Sequence, residues 1–303
     1  MVDTFRSNVS QAATIDVLWL GSSNEDYETA IQGLADTAGS VGPNTWNMTF
    51  WADDTGGETV PVPDFGAYDV FVVGSTYQVS GTISRGRNTI RGNYTAADNY
   101  YGIGVDAQRV VDNSDAIEAE RGERTFLSGQ DADWHYLNNQ VGRGYDGPEG
   151  FMINAVNWAA SGAGLGIVSM TDRIARGEGW WTAEGSFLAD ELGDNVFVAS
   201  DDSVFIGDGQ DSFPINTDLT DAGLSTWGTS SHAGFNEIDG YTRINFENDN
   251  SQGFGITIVT SGQEDGGIGG PPDSGPPPIP LPAAAWMLIL ALGSLVGLRR
   301  LQA

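Results

Sequence analysis

Residues Thr14–Ser23 read TIDVLWLGSS. Ile15 to Leu20 is a short apolar run, the mark of a strand buried on both faces. The next stretch, NEDYETAIQGLADTAG, sets Tyr27, Ala30, Ile31 and Leu34 at helical spacing, with Asn24 placed to cap the start. A strand running into an amphipathic helix is the unit from which parallel sheets are built. The same alternation continues along the chain. TWNMTFWADD alternates Trp46, Met48 and Phe50 as a second strand. YDVFVVGS (Tyr68 to Ser75) is a third, RTFLSGQ (Arg124 to Gln130) a fourth and GLGIVSM (Gly164 to Met170) a fifth. PEGFMINAVNWAASG predicts a helix from Pro148 with Gly162 as its C-cap. TAEGSFLADELG predicts a further helix, and DNVFVAS follows it.

Near-continuous apolar strands separated by helices indicate a doubly wound α/β domain, with a mostly parallel sheet covered on both faces. The late segment differs. YTRINFEN, DNSQ and GFGITIVTSG read as an antiparallel hairpin, a β-rich C-terminal addition. Gly, Asn and Arg dominate Thr76 to Glu123, which carries no clear periodicity.

Composition sets limits on function. The chain has 303 residues, 41 acidic and 13 basic, for a formal charge of −28. Every basic residue is Arg. That balance argues against nucleic acid as a partner, because phosphate contacts need clustered basic side chains. It also disfavours an anionic membrane surface for the main body. There is no Cys, so no thiolate nucleophile, disulfide or zinc–thiolate site.

The chain divides by composition into four zones. Residues 1–13 read as an N-terminal remnant or truncated signal region, and SQAA resembles the small-residue end of a cleavage site. Residues 14–262 are the globular α/β domain. Residues 263–279 are rich in Gly and Pro and form an extended, disordered linker, since they cannot bury enough apolar surface to fold. Residues 280–303 close the chain with a transmembrane helix over 283–298. The whole apolar run, Leu281 to Leu298, is 18 residues. As a helix it spans about 27 Å, close to a ~30 Å hydrocarbon core. Arg299 and Arg300 follow, which places the C-terminus in the cytoplasm and the acidic body outside.

This tail, IPLPAAAWMLILALGSLVGLRR, resembles the VPLPA-CTERM sorting signal, a variant of the PEP-CTERM class of bacterial exported proteins. Pro280, Leu281, Pro282 and Ala283 fall on the short motif, with Ile279 where the family has Val; Trp286 to Leu298 matches the helix and Arg299–Arg300 the basic end. The resemblance implies an exosortase, a membrane transpeptidase, as partner. It implies an inner-membrane precursor, cleavage near the motif, and delivery of the body to the cell envelope or outside.

The body is more loosely similar to a domain found ahead of such signals, through RTFLSGQDADWHY, GPEGFMINAVNWAASGAGLGIVSM and FPINTDLTDAGLSTWGTSSHAGF. Its arrangement resembles the class I glutamine amidotransferase-like, flavodoxin-like fold. Enzymes of that fold use a Cys nucleophile, which this chain lacks, so amidotransferase chemistry is excluded.

Two histidines are the only side chains that titrate near neutrality unperturbed. In GQDADWHY, Asp131, Asp133 and His135 alternate just past the fourth strand, where α/β folds place ligands. Read as an extended segment, alternation puts all three on one side. His232 lies in WGTSSHAGF. Convergence of the two loops would give an Asp/Asp/His/His site able to hold a divalent metal, or to supply a base and its orienter. Two function classes follow. One is a non-catalytic, envelope-destined protein sorted by its tail. The other is an extracellular metal-assisted hydrolase acting on a glycan or ester. Ser23 and Ser128 are weaker nucleophile candidates, outside any G-x-S-x-G elbow. GIGVDAQRV lacks the glycines of a dinucleotide fingerprint, so no cofactor-binding motif is assigned. IGDGQDS and ENDNSQG lack the full calcium-ligand series and read as acidic turns.

Overall fold

A computed structural model of the chain describes residues 13–20, 25–51, 61–75, 82–85, 88–91, 105–137, 145–171, 179–228, 230–249, 251 and 253–261. The linker, the tail with its apolar span, the N-terminal remnant and Ser23 lie outside these residues. Among the described residues, no helix is long and apolar enough to cross a membrane.

The parallel half holds five strands. They are β1 (Thr14–Leu20), β2 (Thr45–Trp51), β3 (Val70–Val73), and two later ones. A separate antiparallel hairpin, β4 (Thr82–Arg85) and β5 (Asn88–Arg91), intervenes. Then come β6 (Arg121–Ser128) and β7 (Leu165–Met170). The spatial order is β2-β1-β3-β7-β6, and every neighbouring pair is parallel. Leu18 pairs with Phe71, Phe71 with Ile167, and Phe126 with Val168. The four core strands expected from their apolar runs are therefore parallel to one another.

Both faces of this sheet are covered, and the period-2 alternation of side chains decides which residue goes where. Ile15, Val17 and Trp19 face α1 (Glu25–Val41) and α5 (Pro148–Ala160), in a cluster with Ile31, Leu34, Phe151 and Val156. Leu18 and Leu20 face the other way. They join Val110 of α2 (Val105–Asp112), Ile117 of α3 (Ser114–Glu120), Trp180 and Trp181. α5 is apolar nearly all round, as a helix clamped between layers must be. It lies so close to β7 that a Cβ on Gly166 would sit 2.5 Å from the Ala159 carbonyl oxygen.

The expected helix over TAEGSFLADELG does not form. Gly185 takes a φ of 86°, a left-handed turn that breaks any helix there. Only one turn remains, α6 (Ala189–Leu192). α5 ends at Ala160, with Ser161 rather than Gly162 as its C-cap.

The β-rich addition continues the same sheet. It comprises β8 (Val196–Asp201), β9 (Phe205–Ile206), β10 (Ser231–Phe235), β11 (Tyr241–Phe246) and β12 (Gly255–Thr260), with the single turn α7 (Asp221–Leu224) between β9 and β10. β11 and β12 form the expected antiparallel hairpin. β12 lies antiparallel against β6, and β10 and β8 continue beyond it.

Candidate functional site

The carboxyl end of β6 carries the site. After Ser128 the chain passes Gly129, Gln130 and Asp131 and turns at once into α4 (Ala132–Leu137). The Asp131 carbonyl accepts the first helical hydrogen bond, from the His135 N–H at 3.1 Å. The segment is thus a helix start, not the extended run suggested by the alternation of Asp131, Asp133 and His135. That changes which residues meet. Positions i and i+4 share a helix face, and i+2 points elsewhere. Asp131 and His135 come together, with Oδ1 and Nε2 2.9 Å apart. Asp133 leaves the group. It is fully buried, and its carboxylate accepts a hydrogen bond from the Ser75 hydroxyl just past β3.

His232 arrives from the other half of the molecule. The β8–β10 ladder slips between Ser231 and Ala233. Such an irregularity re-aims one residue. The His232 N–H donates to the Gly129 carbonyl at 2.7 Å, tying β10 to the β6 exit. Its Nε2 lies 3.1 Å from the Asp131 Oδ2. One carboxylate therefore stands between two imidazoles, one on each oxygen. This close approach of backbones depends on Gly129, where a Cβ would lie 1.9 Å from the Ala233 carbonyl oxygen. Gly129 was missed in reading the sequence, because nothing local marks it.

The surroundings hold this geometry. The His135 ring packs against Trp227, centroid to centroid 5.5 Å. The Trp227 indole N–H donates to the Gly223 carbonyl at 2.8 Å. Gln130 donates to the Leu224 carbonyl at 2.9 Å, and its own N–H is held by the Ser128 hydroxyl. His135 and Asp131 are buried, whereas the His232 side chain is 30% exposed, so solvent reaches the group from that flank. Burial pushes the Asp131 carboxyl up, but the two imidazoles beside it, His135 and His232, outweigh it and hold the group below the usual carboxylate range. Asp131 is the fixed anion of the site. The approach of Oδ1 to His135 is nevertheless off the line of a hydrogen bond, and Oδ1 accepts none. The close contact there is one of charge and proximity.

The site atoms of Asp131, His135 and His232 all lie within 4.8 Å of one another, a grouping that can hold a metal ion. It is the one such grouping among the described residues. The acidic turn at IGDGQDS is instead tied to the one at ENDNSQG, with the Asp208 N–H donating to the Ser251 hydroxyl. Ser128 is fully buried and shares a hydrogen bond with Thr257, so it is not available as a nucleophile. An open depression by the β11–β12 hairpin holds Arg243, but that charge is taken up by Glu237 and the Gly253 carbonyl.

Compared with known family models, curated proteins and solved structures, the chain matches none of them.

Proposed function

We propose that the chain is an exported, envelope-destined protein whose α/β domain carries a hydrolytic centre for an extracellular ester or glycan. The observation that carries the catalytic half is the Asp131 carboxylate set between His135 and His232, 2.9 and 3.1 Å away. His232 is the solvent-facing imidazole and takes the proton of an attacking water. Asp131, held ionised, steadies the imidazolium that results, and the buried His135 fixes Asp131 from its other oxygen. Position supports the same reading, since open α/β sheets bind ligands beyond the carboxyl ends of their strands. The assay is release of chromophore from aryl esters and aryl glycosides by the full chain, with and without added divalent metal. Loss of turnover in His232→Ala and Asp131→Asn, with unchanged circular dichroism, is expected. Turnover that survives in Asp131→Asn would remove the reading.

The tail supports the export half. Pro280, Leu281, Pro282 and Ala283, the apolar run and Arg299–Arg300 fit a precursor held in the inner membrane and cut by an exosortase. Mass spectrometry of the mature protein from a host with that enzyme should find Trp286 gone; an intact C-terminus would refute it. A flavodoxin-like relationship is part of this reading. In order of occurrence the parallel strands run 2-1-3-5-4. The first three follow the flavodoxin-like order 2-1-3-4-5, and the last two are exchanged.

A further inference from the structure

We propose that Asp131, His135 and His232 bind one divalent transition-metal ion of the zinc class, with a coordination position left open to water. The inference deepens the hydrolytic reading and rests on it for what the ion does: with the ion bound, His232 and Asp131 would be ligands, and activation of the water would pass from His232 to the ion. The binding itself stands on the geometry of the three side chains.

Three features point to an ion. The first is convergence: two imidazole nitrogens and a carboxylate gather within 4.8 Å, drawn from the residue before α4, from α4 itself and from β10. The second is the buried Asp131 Oδ1. It lies 2.9 Å from Nε2 of His135 yet accepts no aligned hydrogen bond. Buried polar atoms are normally satisfied, and one that is not calls for an unplaced water or ion. Two donor atoms side by side and off-line are what a common cation between them would require. The third is the company the carboxylate keeps: among the described residues its ion-pair partners are the two histidines, one on each oxygen, and both are metal-ligating side chains.

The donor set selects the metal. Calcium takes six to eight oxygen ligands and magnesium a near-ideal octahedron of oxygens. Two imidazoles and one carboxylate suit zinc and its neighbours cobalt, nickel, iron and manganese. Three protein ligands fall one short of the four that close a structural zinc site and match the number found in catalytic ones. Among the described residues no fourth Asp, Glu or His joins the group. The partly exposed flank of His232 is where a water would complete it. An ion there would acidify that water and supply a nucleophile at neutral pH. The ligands also have the outer support that metal sites need. Trp227 backs His135, and the Gly129 carbonyl fixes the backbone of His232.

The test is calorimetric titration of the full chain with Zn²⁺ and separately with Ca²⁺. It is run in about 0.5 M salt, where screening suppresses diffuse binding to the acidic surface. The expected result is one Zn²⁺ per chain, no matching Ca²⁺ isotherm, and affinity reduced by about 100-fold or more in His232→Ala, Asp131→Asn and His135→Ala. That is at least what loss of an outer-shell partner costs. His232 is the most exposed of the three, so His232→Ala keeps the test valid if either buried variant fails to fold. Substitution with Co²⁺ adds a spectrum: visible absorption of a low-symmetry nitrogen and oxygen site is expected. Zinc isotherms unchanged in His232→Ala, or Co²⁺ showing only its aqueous spectrum, would overturn the proposal. Binding without hydrolysis would sustain it and sink the hydrolytic reading alone. Hydrolysis undiminished after chelation, with no zinc isotherm, would do the reverse.

Discussion

Replacing Gly129 by Ala tests whether the approach of β10 to the β6 exit assembles the site. The added Cβ would sit 1.9 Å from the Ala233 carbonyl oxygen and 2.7 Å from its carbon. An ordinary carbon–oxygen contact is about 3.3 Å, so β10 must retreat by roughly 1.4 Å. Both partners are backbone, and neither can rotate out of the way. The retreat breaks the 2.7 Å hydrogen bond from the His232 N–H to the Gly129 carbonyl. That bond is worth about 1 kcal/mol. Overpacking adds about 1–3 kcal/mol. A total near 3 kcal/mol lowers the melting temperature by roughly 6–12 °C for a domain of this size. Differential scanning calorimetry reads the shift, and zinc titration of the same sample reads the site. Weaker zinc binding is expected, because His232 moves with its strand while Asp131 and His135 stay at the start of α4 and within it. A variant melting within about 2 °C of the parent, with zinc affinity unchanged, would show that the backbone contact is not what brings His232 to Asp131.

Gly33→Ala is the counterpart. Its Cβ would meet only the Tyr136 hydroxyl, at 3.7 Å, in the middle of α1, so thermal melting should show a gain of up to about 1 kcal/mol. Ser75→Ala removes the donor to the buried Asp133 carboxylate and should cost about 1–3 kcal/mol in urea unfolding, with zinc stoichiometry unaltered. Glu191 gives a pH dependence. Burial raises its carboxyl, but hydrogen bonds from Arg121 and Tyr241 lower it further, to a net value below the ordinary 4.5. A depressed carboxylate stabilises the fold above its unfolded value and loses that contribution as pH falls through its folded one. The melting difference between wild type and Glu191→Gln should therefore be present at pH 7 and vanish in acid below the range of 4.5. The side chain is 35% exposed, so the effect should stay under about 1 kcal/mol.

What could be read in advance was what is decided locally. β1, β3 and β7 were legible because strands buried on both faces cannot carry polar residues at alternate positions. The β11–β12 hairpin was legible from its acidic turn between two alternating runs. The start of β6 lay three residues earlier than its apolar part, because Arg121 to Glu123 are polar and still pair with β7 at Arg121. α2 and α3 lie in the stretch where Gly, Asn and Arg hide any period. The misreading of Asp131 to His135 is instructive. Over five residues, alternation fits a strand, yet i and i+4 fit a helix equally well, and so short a window cannot separate them. It made Asp133 a ligand when its role is to bind Ser75. The pairing of His232 with Asp131 was legible only as a condition, since the contact depends on a ladder slip and a glycine far away in the chain.

β12 is the last strand of the body, yet it sits inside the sheet, between β6 and β10. A chain emerging from a ribosome or a translocation pore presents its first residue first. Until Gly255–Thr260 has cleared the channel, one edge of β6 has no neighbour, and the backbone of Phe126 to Ser128 is open to any passing strand. High sequence separation makes such closure slow. The same late arrival seats β10 beyond β12, and with it His232. A chain released short of that point already contains Asp131, His135 and His232 but lacks the strand beyond which His232 is seated. The strong negative charge keeps such unfinished chains apart while they wait. The grouping of Asp131, His135 and His232 is thereby coupled to completeness: it assembles only when the final strand locks in.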